Sequence, residues 1–206
     1  FMIKIIECVP NFSEGKDESI INAIIDSILS VEGINLLDVD SGKDTNRTVV
    51  TFVGEPSNVI DAAFNGIKKA SELIDMTKHR GEHPRMGATD VCPLIPIKNT
   101  TMDECVKYSK ILSDKVSKEL GIPIYLYENS ASSKDRINLS NVRSGEFEGM
   151  KDKIRLKNWK PDYGPINMNN NAGVTAIGAR EFLLAYNINL NTKEKKLASH
   201  IALNIR

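Results

Sequence analysis

Two of the three histidines in this chain lie in one short polar segment. His79 and His83 stand in KHRGEHPRMG, residues 78–87, together with Arg85. The glycines and the proline in this segment disfavour a helix, so we interpret it as a loop that leads into the apolar residues 91–97. A polar loop joined to a buried strand is a common place for reactive side chains. Residues 78–87 are therefore the first candidate for a functional site.

His83 is the candidate for proton transfer. An imidazole titrates near neutral pH, so it can accept a proton and return it within one turnover. Glu82 and Asp90 are near enough in sequence to orient the ring. The alternative is a histidine that only hydrogen-bonds the loop backbone. For His79 we expect either a structural role or a contact with substrate.

A metal site would be a competing use of the two histidines. A pair spaced i, i+4 binds zinc well on a helix, but Gly81 and Pro84 break helical geometry here and the motif is not HExxH. Cys8, Cys92 and Cys105 lack the spacing of cysteine ligands. We therefore expect no metal.

Two arginines and a second loop are candidates for binding. Arg47 opens a β-rich segment and Arg85 lies in the histidine loop; a planar guanidinium suits carboxylates, although a surface ion pair is the common alternative. Residues 164–173 offer backbone donors and uncharged amides, which suit a heteroaromatic ring, but an ordinary connector has the same composition. The sequence contains neither a Walker A loop nor GxGxxG, so no phosphate-binding loop is indicated.

Composition narrows the functional classes. The chain has 206 residues, with 27 lysines plus arginines and 27 aspartates plus glutamates, hence a formal net charge of zero. This balance argues against a general nucleic-acid or membrane-surface binder, which would be basic. No apolar run reaches transmembrane length, and no signal sequence opens the chain. An odd number of cysteines indicates reduced thiols and a cytoplasmic location.

Strand and helix patterns must position these residues. Through residue 127 their order is strand–helix–strand–strand–helix–strand, if residues 91–97 are treated as an insertion beside the fourth strand or as part of an enlarged sheet. This order predicts an α+β fold, a ferredoxin-like α/β sandwich with a mixed β-sheet and helices on one face. Pro93 and Pro96 favour an edge position or a bulge for the strand that contains them. Two more strands, at 174–179 and 182–190, and a final helix are expected.

Six segments, in order, are distributed between residues 7 and 192. They are ECVPNFSEG (7–15), LLDVDSGKDTNRTVVTFVG (36–54), ELIDMTKHRGEHPRMGATDVCPLIPI (72–97), TMDEC (101–105), PDYGP (161–165) and GVTAIGAREFLLAYNINLNT (173–192). Together they resemble the formiminotransferase domain of the glutamate formimidoyltransferases, the folate enzymes of histidine degradation.

The resemblance implies two ferredoxin-like subdomains with facing sheets, folate in the cleft between them, and dimers. Residues 1–180 would form the N-terminal subdomain, and residues 181–206 would begin an incomplete C-terminal subdomain. His83 would be the catalytic histidine. The segment INMNNNAG departs from relatives, which usually have an aromatic residue or a proline there. The residues implied in folate binding are Gly164, Pro165, Ile166, Asn167, Met168, Asn169, Asn170, Asn171, Ala172 and Gly173.

The implied reaction moves the formimino group of N-formimino-L-glutamate to N5 of tetrahydrofolate, the co-substrate. His83 would serve as general acid and base, Arg47 or Arg85 would hold the glutamate carboxylates, and Asp40 would stabilise the amidinium. One alternative is a non-catalytic folate-binding or structural subdomain that lacks half of the cleft. Another is 5-formyltetrahydrofolate cyclisation, which the missing ATP loop disfavours. We expect small-molecule substrates and a homodimer.

Overall fold

The computed structural model describes residues 2–183, 188 and 190–205. One sheet runs through the described residues and carries helices on both sides. Its strands are β1 (Ile5–Cys8), β2 (Asn11–Phe12), β3 (Asn35–Gly42), β4 (Arg47–Gly54), β5 (Thr89–Lys98), β6 (Ile124–Glu128) and β7 (Thr175–Ala179). The helices are α1 (Glu18–Leu29), α2 (Pro56–Leu73), α3 (Met102–Leu120), α4 (Lys134–Ile137), α5 (Leu139–Arg143), α6 (Glu146–Lys153) and α7 (Lys195–Ile205), with a 3-10 turn at Lys157–Trp159.

The strands follow the order β3, β4, β1 with β2, β5, β7, β6 across the sheet. β1 and β2 share one position, because each pairs with β4 on one side and β5 on the other. β5, β7 and β6 are parallel, whereas the remaining pairs are antiparallel. The predicted α+β fold with a mixed sheet is confirmed. β1–α1–β3 and β4–α2–β5 each leave room for one intervening strand, the split βαβ arrangement.

β5 is an interior strand, so of the two alternatives predicted from its prolines, an edge position or a bulge, the structure shows the bulge. It pairs with β1 and β2 on one side and with β7 on the other. Pro93 lies opposite the break between β1 and β2, where its carbonyl accepts from the N–H of Val9 at 3.3 Å. Pro96 lies beyond Leu94, the last residue paired with β7, and opposite Ile6, where the register with β1 shifts. Each proline thus occupies an irregularity in which its missing N–H costs little.

The three long helices cover one face of the sheet. Asp17 caps α1 by accepting from two backbone N–H groups of its first turn. Thr101 and Glu104 form a capping box at the start of α3. Gly121 ends that helix with a φ of 64°, in the left-handed region that glycine adopts readily. The core between these helices and the sheet contains Phe12, Ile24, Ile28, Phe52, Ile67, Leu94 and Leu112, all almost fully buried.

Among the described residues, the short helices cover the opposite face at the β6–β7 end. There Tyr125 and Tyr127 pack with Val142, Met150 and Ile154 from the short helices in a second apolar cluster. Side chains alternate between faces along a strand, so the neighbouring Ile124 points to the first core. Over the other strands no described helix covers this face, and the cavity described below lies on it.

The C-terminal part is described in pieces. The strand predicted at 174–179 is β7. The strand predicted at 182–190 falls mostly on residues 184–187 and 189, outside the described residues. α7 follows Thr192, whose hydroxyl accepts from the N–H of Glu194 at 3.2 Å. Within the described ranges, no helix is long and apolar enough to cross a membrane.

Candidate active site

A cavity of about 700 Å³ lies on the open face of the sheet. His83, Arg47 and Asp40 all line it, so the structure brings together three residues that the sequence singled out. Its wall also includes Asp38, Glu128, Asn138, Arg143 and Arg180. A volume of this size is typical of small-molecule sites.

Strand alternation places the polar groups in this cavity. In β4, Val50 and Phe52 are buried beneath the helices, whereas Arg47 and Val49 line the cavity. Residues two apart along a strand share a face, so Asp38 and Asp40 of β3 reach the same side of the sheet. The positions of the acidic and basic groups therefore follow from the register of β3 against β4, which pairs Gly42 with Arg47.

The His83 loop is held against the turn between β3 and β4. Asn46 donates from Nδ2 to the carbonyl of Arg80 at 2.9 Å, and the N–H of Glu82 donates to the carbonyl of Asp44 at 3.1 Å. A Cβ on Gly81 would lie 2.3 Å from the carbonyl oxygen of Thr45, so only glycine permits this approach. These contacts fix the three residues that directly precede His83.

The environment of His83 keeps its ring neutral. Burial, reinforced by the positive charges of Arg47 and Arg143, lowers the pKa of His83 to about 4. At neutral pH the imidazole therefore has a free lone pair, as a general base requires. An anion beside the two arginines would offset their effect and raise the proton affinity of the ring.

His79 lies outside the cavity and is fully hydrogen-bonded. Its Nε2 is 2.9 Å from the carbonyl of Asn46, and its Nδ1 accepts from Nε of Arg85 at 3.2 Å. Because a carbonyl only accepts and a guanidinium only donates, the ring is the neutral tautomer with its proton on Nε2. Burial lowers the pKa of His79. This geometry favours the structural role for His79 over a contact with substrate.

Arg85 is likewise engaged within the protein. Its Nη1 donates to Glu146 at 2.8 Å, and its two terminal nitrogens donate to both oxygens of Glu148 at 2.9 and 2.6 Å. The Arg85 guanidinium lowers the pKa of the Glu148 carboxyl to about 2. Arg85 does not line the cavity. The ion-pair alternative therefore fits Arg85 better than binding of a substrate carboxylate.

Arg143 is a site residue that the sequence analysis missed. It lines the cavity from the last residue of α5, and its Nη2 donates to Asp90 at 2.6 Å. Asp90 is 2% exposed and also accepts from the N–H of Met86 at 2.9 Å. Asn138, which caps α5 by accepting from the N–H of Ser140, was the available signal that this helix starts.

Arg47 uses only some of its hydrogen-bond donors within the described residues. Its Nη2 donates to Oδ1 of Asn11, whereas its buried Nε has no hydrogen-bond partner among the described residues. Burial lowers its pKa, and the nearby charges of Asp90 and Asp40 oppose that change. A guanidinium with spare donors at the wall of a cavity can bind an anion.

The 164–173 loop lies apart from this cavity. Asn167, Met168 and Asn170 line a separate depression of about 260 Å³ that shares no residue with the His83 cavity. Gly173, with a φ of 72°, packs so closely that a Cβ there would lie 2.2 Å from the carbonyl oxygen of Met86. The geometry thus shows a role for Gly173 in supporting the residues before β5. The assignment of the loop to folate binding stays a prediction.

No group of three or more histidine, cysteine, aspartate or glutamate side chains within the described ranges could hold a metal ion. Cys8, Cys92 and Cys105 are all buried free thiols.

A known family profile matches residues 5–180, from β1 to the residue after β7. It is described as the formiminotransferase domain, N-terminal subdomain. This chain belongs to the formiminotransferase family. The resemblance inferred from the six sequence segments is therefore confirmed. That residues 181–206 begin a C-terminal subdomain remains a prediction.

Individual relatives of the formiminotransferase family match over the whole chain. A formimidoyltransferase-cyclodeaminase of Dictyostelium discoideum is 53% identical over 206 residues, which are 100% of this chain and 38% of that protein. A glutamate formimidoyltransferase of Streptococcus pyogenes serotype M1 is 51% identical over 205 residues, 100% of this chain and 69% of that protein. One of Thermoplasma acidophilum is 48% identical over 206 residues, 99% and 68% respectively. The chain thus spans well under half of the Dictyostelium protein and about two thirds of the other two.

Proposed function

We propose that this chain supplies the catalytic histidine of a folate-dependent transferase, which moves the formimino group of N-formimino-L-glutamate to N5 of tetrahydrofolate. The family and the names of the relatives support the formimino transfer. The observation that carries the proposal is the position of His83, neutral and beside Arg47 and Asp40 in one cavity.

In this reaction His83 transfers one proton from N5 of tetrahydrofolate to the glutamate nitrogen. N5 of tetrahydrofolate attacks the amidine carbon, forming the new carbon–nitrogen bond, and His83 takes the proton that N5 loses. The bond from that carbon to the glutamate nitrogen then breaks, and His83 returns the proton to the departing nitrogen. General acid–base catalysis of this kind contributes about 10²–10⁴-fold to the rate.

Asp40 and Arg47 would act on opposite charges of the substrate. Before the attack, the protonated amidine spreads its positive charge over both formimino nitrogens, and a carboxylate such as Asp40 would stabilise that charge. Arg47 has free donors suited to a glutamate carboxylate. These assignments are supported by the shared cavity of the two side chains with His83.

Tetrahydrofolate would be the co-substrate, and the volume and mixed polar lining of the His83 cavity are compatible with a ligand of this kind. The 164–173 loop is included in the proposal only on the strength of the family resemblance. We also propose a homodimer with small-molecule substrates, which the family resemblance supports, and a cytoplasmic location, which the reduced cysteines support. The zero net charge supports the absence of a nucleic-acid partner.

The experiment is a transfer assay with both substrates, in which the 5-formimino product and released glutamate are measured by mass spectrometry. His83→Gln should lower kcat about 10²-fold or more, while His200→Gln, a change on the exposed helix α7, should leave it unaltered. Full turnover by His83→Gln would remove the assignment.

The second candidate is a folate-binding or structural subdomain without catalysis of its own. It is favoured by one observation, the 38% of the Dictyostelium relative that this chain spans. Calorimetric titration with 5-formyltetrahydrofolate, run beside the transfer assay, separates the two. Binding without turnover supports this second candidate.

A further inference from the structure

Two arginines face His83 from different elements. Arg47 stands at the start of β4 and Arg143 at the end of α5, and both line the cavity with His83. The positive charge of each disfavours protonation of His83, and Arg143 acts in the same sense on Arg47. The three groups therefore lie close enough to interact electrostatically.

The two arginines differ in their acidic partners, and Asp90 and Asp40 act on Arg47 only through their charge, without an ion pair. Among the described residues, Arg143 forms an ion pair with Asp90 alone and Arg47 forms none. Arg143 uses Nη2 for that bond, while its Nε is buried without a described partner and Nη1 makes no hydrogen bond to a described residue. Arg47 likewise uses only Nη2. Both guanidinium groups thus keep donors in the fork geometry that suits a carboxylate.

Arg143 is held rigidly for a cavity residue. Lys153, 9% exposed, donates from Nζ to the carbonyls of Asn141, Val142 and Ser144 at 2.6, 2.8 and 3.1 Å, which satisfies the C-terminal end of α5. Asp90 then fixes the guanidinium itself. A binding group that is positioned before its ligand arrives loses little conformational freedom on binding.

We propose that Arg143 and Arg47 together bind one carboxylate of the acidic substrate beside His83, and that Asp90 is the residue that positions Arg143. The proposal rests on the proposed function, because N-formimino-L-glutamate supplies the carboxylate. It assigns to Arg143 the role that the sequence suggested for Arg85.

A bound carboxylate would also change His83. The groups that act on its imidazole are Arg47 from β4, Arg143 from α5 and Glu146 from α6. Neutralising the arginines favours the protonated ring. Substrate would therefore raise the proton affinity of the base at the step that needs it. The remaining charged residues that line the cavity are Asp38, Asp40, Glu128, Arg180 and Glu181.

The test uses glutarate as the probe and its neutral diamide as the ligand control. Calorimetry should show glutarate binding to the wild-type protein and none for the diamide. Arg143→Gln and Arg47→Gln should each weaken glutarate binding about 10- to 100-fold, the usual range for hydrogen bonds to charged groups. Lys118→Gln, which removes an exposed cation from α3, should bind as the wild type does.

Asp90 is tested through a double-variant cycle. Asp90→Asn should weaken glutarate binding much more when Arg143 is present than in Arg143→Gln, because Asp90 positions that side chain by a direct hydrogen bond and acts on Arg47 only through its charge. The double variant also removes both buried charges together, which avoids leaving one of them uncompensated. If Asp90 had a purely structural role, Asp90→Asn would weaken glutarate binding by the same factor in the wild type and in Arg143→Gln.

NMR titration of the His83 ring supplies the second readout. Glutarate should raise the pKa of His83 in the wild-type protein, and this shift should vanish in Arg143→Gln. Equal glutarate affinity in the wild type and in both arginine variants would overturn the proposal, as would a wild-type protein that fails to bind glutarate. Arginine-dependent glutarate binding in a protein that transfers no formimino group would instead contradict the proposed function and leave the carboxylate site standing.

Discussion

Arg143 and Asp90, 53 residues apart in the sequence, form an ion pair of 2.6 Å between α5 and β5. The carboxylate is 2% exposed, and its other oxygen accepts from the backbone N–H of Met86. Burial raises the pKa of Asp90, and the charge of Arg143 opposes that rise. This pair joins the short helices to the sheet at the wall of the cavity.

Asp90→Asn should lower the free energy of unfolding by about 3 kcal/mol, because Arg143 would lose the charge that compensates it in a largely buried place. Asp114→Asn, which removes half of an exposed i, i+4 pair with Lys118, should cost under about 0.5 kcal/mol. Urea unfolding monitored by circular dichroism measures both. Similar losses in the two variants would show that the buried pair stabilises the protein no more than the exposed pair does.

His79 and His83 should contribute differently to the free energy of unfolding. His79→Ala leaves a buried carbonyl of Asn46 and a buried N–H of Arg85 without partners, so it should lower the free energy of unfolding by about 2 kcal/mol or more. His83→Ala should cost less than half as much and abolish most of the turnover. Chemical unfolding and the transfer assay, applied to both variants, check this. A reversed order would exchange the structural and catalytic assignments.

The pKa of His83 has a consequence for stability against pH. The folded ring protonates near pH 4, whereas an unfolded histidine protonates near pH 6.5. Between these values the unfolded chain binds more protons, so the free energy of unfolding rises with pH through this window. Wild-type protein should therefore lose stability relative to His83→Gln as the pH falls from 6.5 to 4. Parallel stability curves for the two proteins would contradict the lowered pKa.

Gly81→Ala should displace the His83 loop. The new Cβ would lie 2.3 Å from the carbonyl oxygen of Thr45 and 2.8 Å from Cβ of Asn46, and neither atom is the end of a flexible side chain. We expect a loss of about 1–3 kcal/mol in stability together with a lower kcat. Gly149→Ala is the matched control: its Cβ would meet nothing within 4 Å in helix α6, so it should stabilise by about 0.5–1 kcal/mol. Equal effects at the two glycines would show that the loop is not tightly seated.

Local sequence patterns were sufficient for much of the fold. The periodicity of the long helices, the Thr101–Glu104 capping box and the β-branched run of β4 depend on residues a few positions apart, which short-range physics controls. They predicted the α+β class and the mixed sheet. The sequence could not decide between an edge position and a bulge for β5, because prolines tolerate an interior strand wherever the ladder is interrupted, and the interruption belongs to β1 and β2.

The candidate site, like the fold, was predicted in part from the sequence and decided in part only by the tertiary structure. Residue chemistry and family resemblance selected His83, Arg47 and Asp40 from the sequence alone, and the structure places all three in one cavity. Sequence could not separate His79 from His83, or Arg85 from Arg143, because each difference depends on partners that are distant along the chain. The carbonyl of Asn46 hydrogen-bonds the ring of His79, and Glu146 and Glu148 accept hydrogen bonds from Arg85. Asp90 accepts a hydrogen bond from Arg143 and so orients its guanidinium. Only the packing of the elements decides which donors are already used and which remain for a ligand.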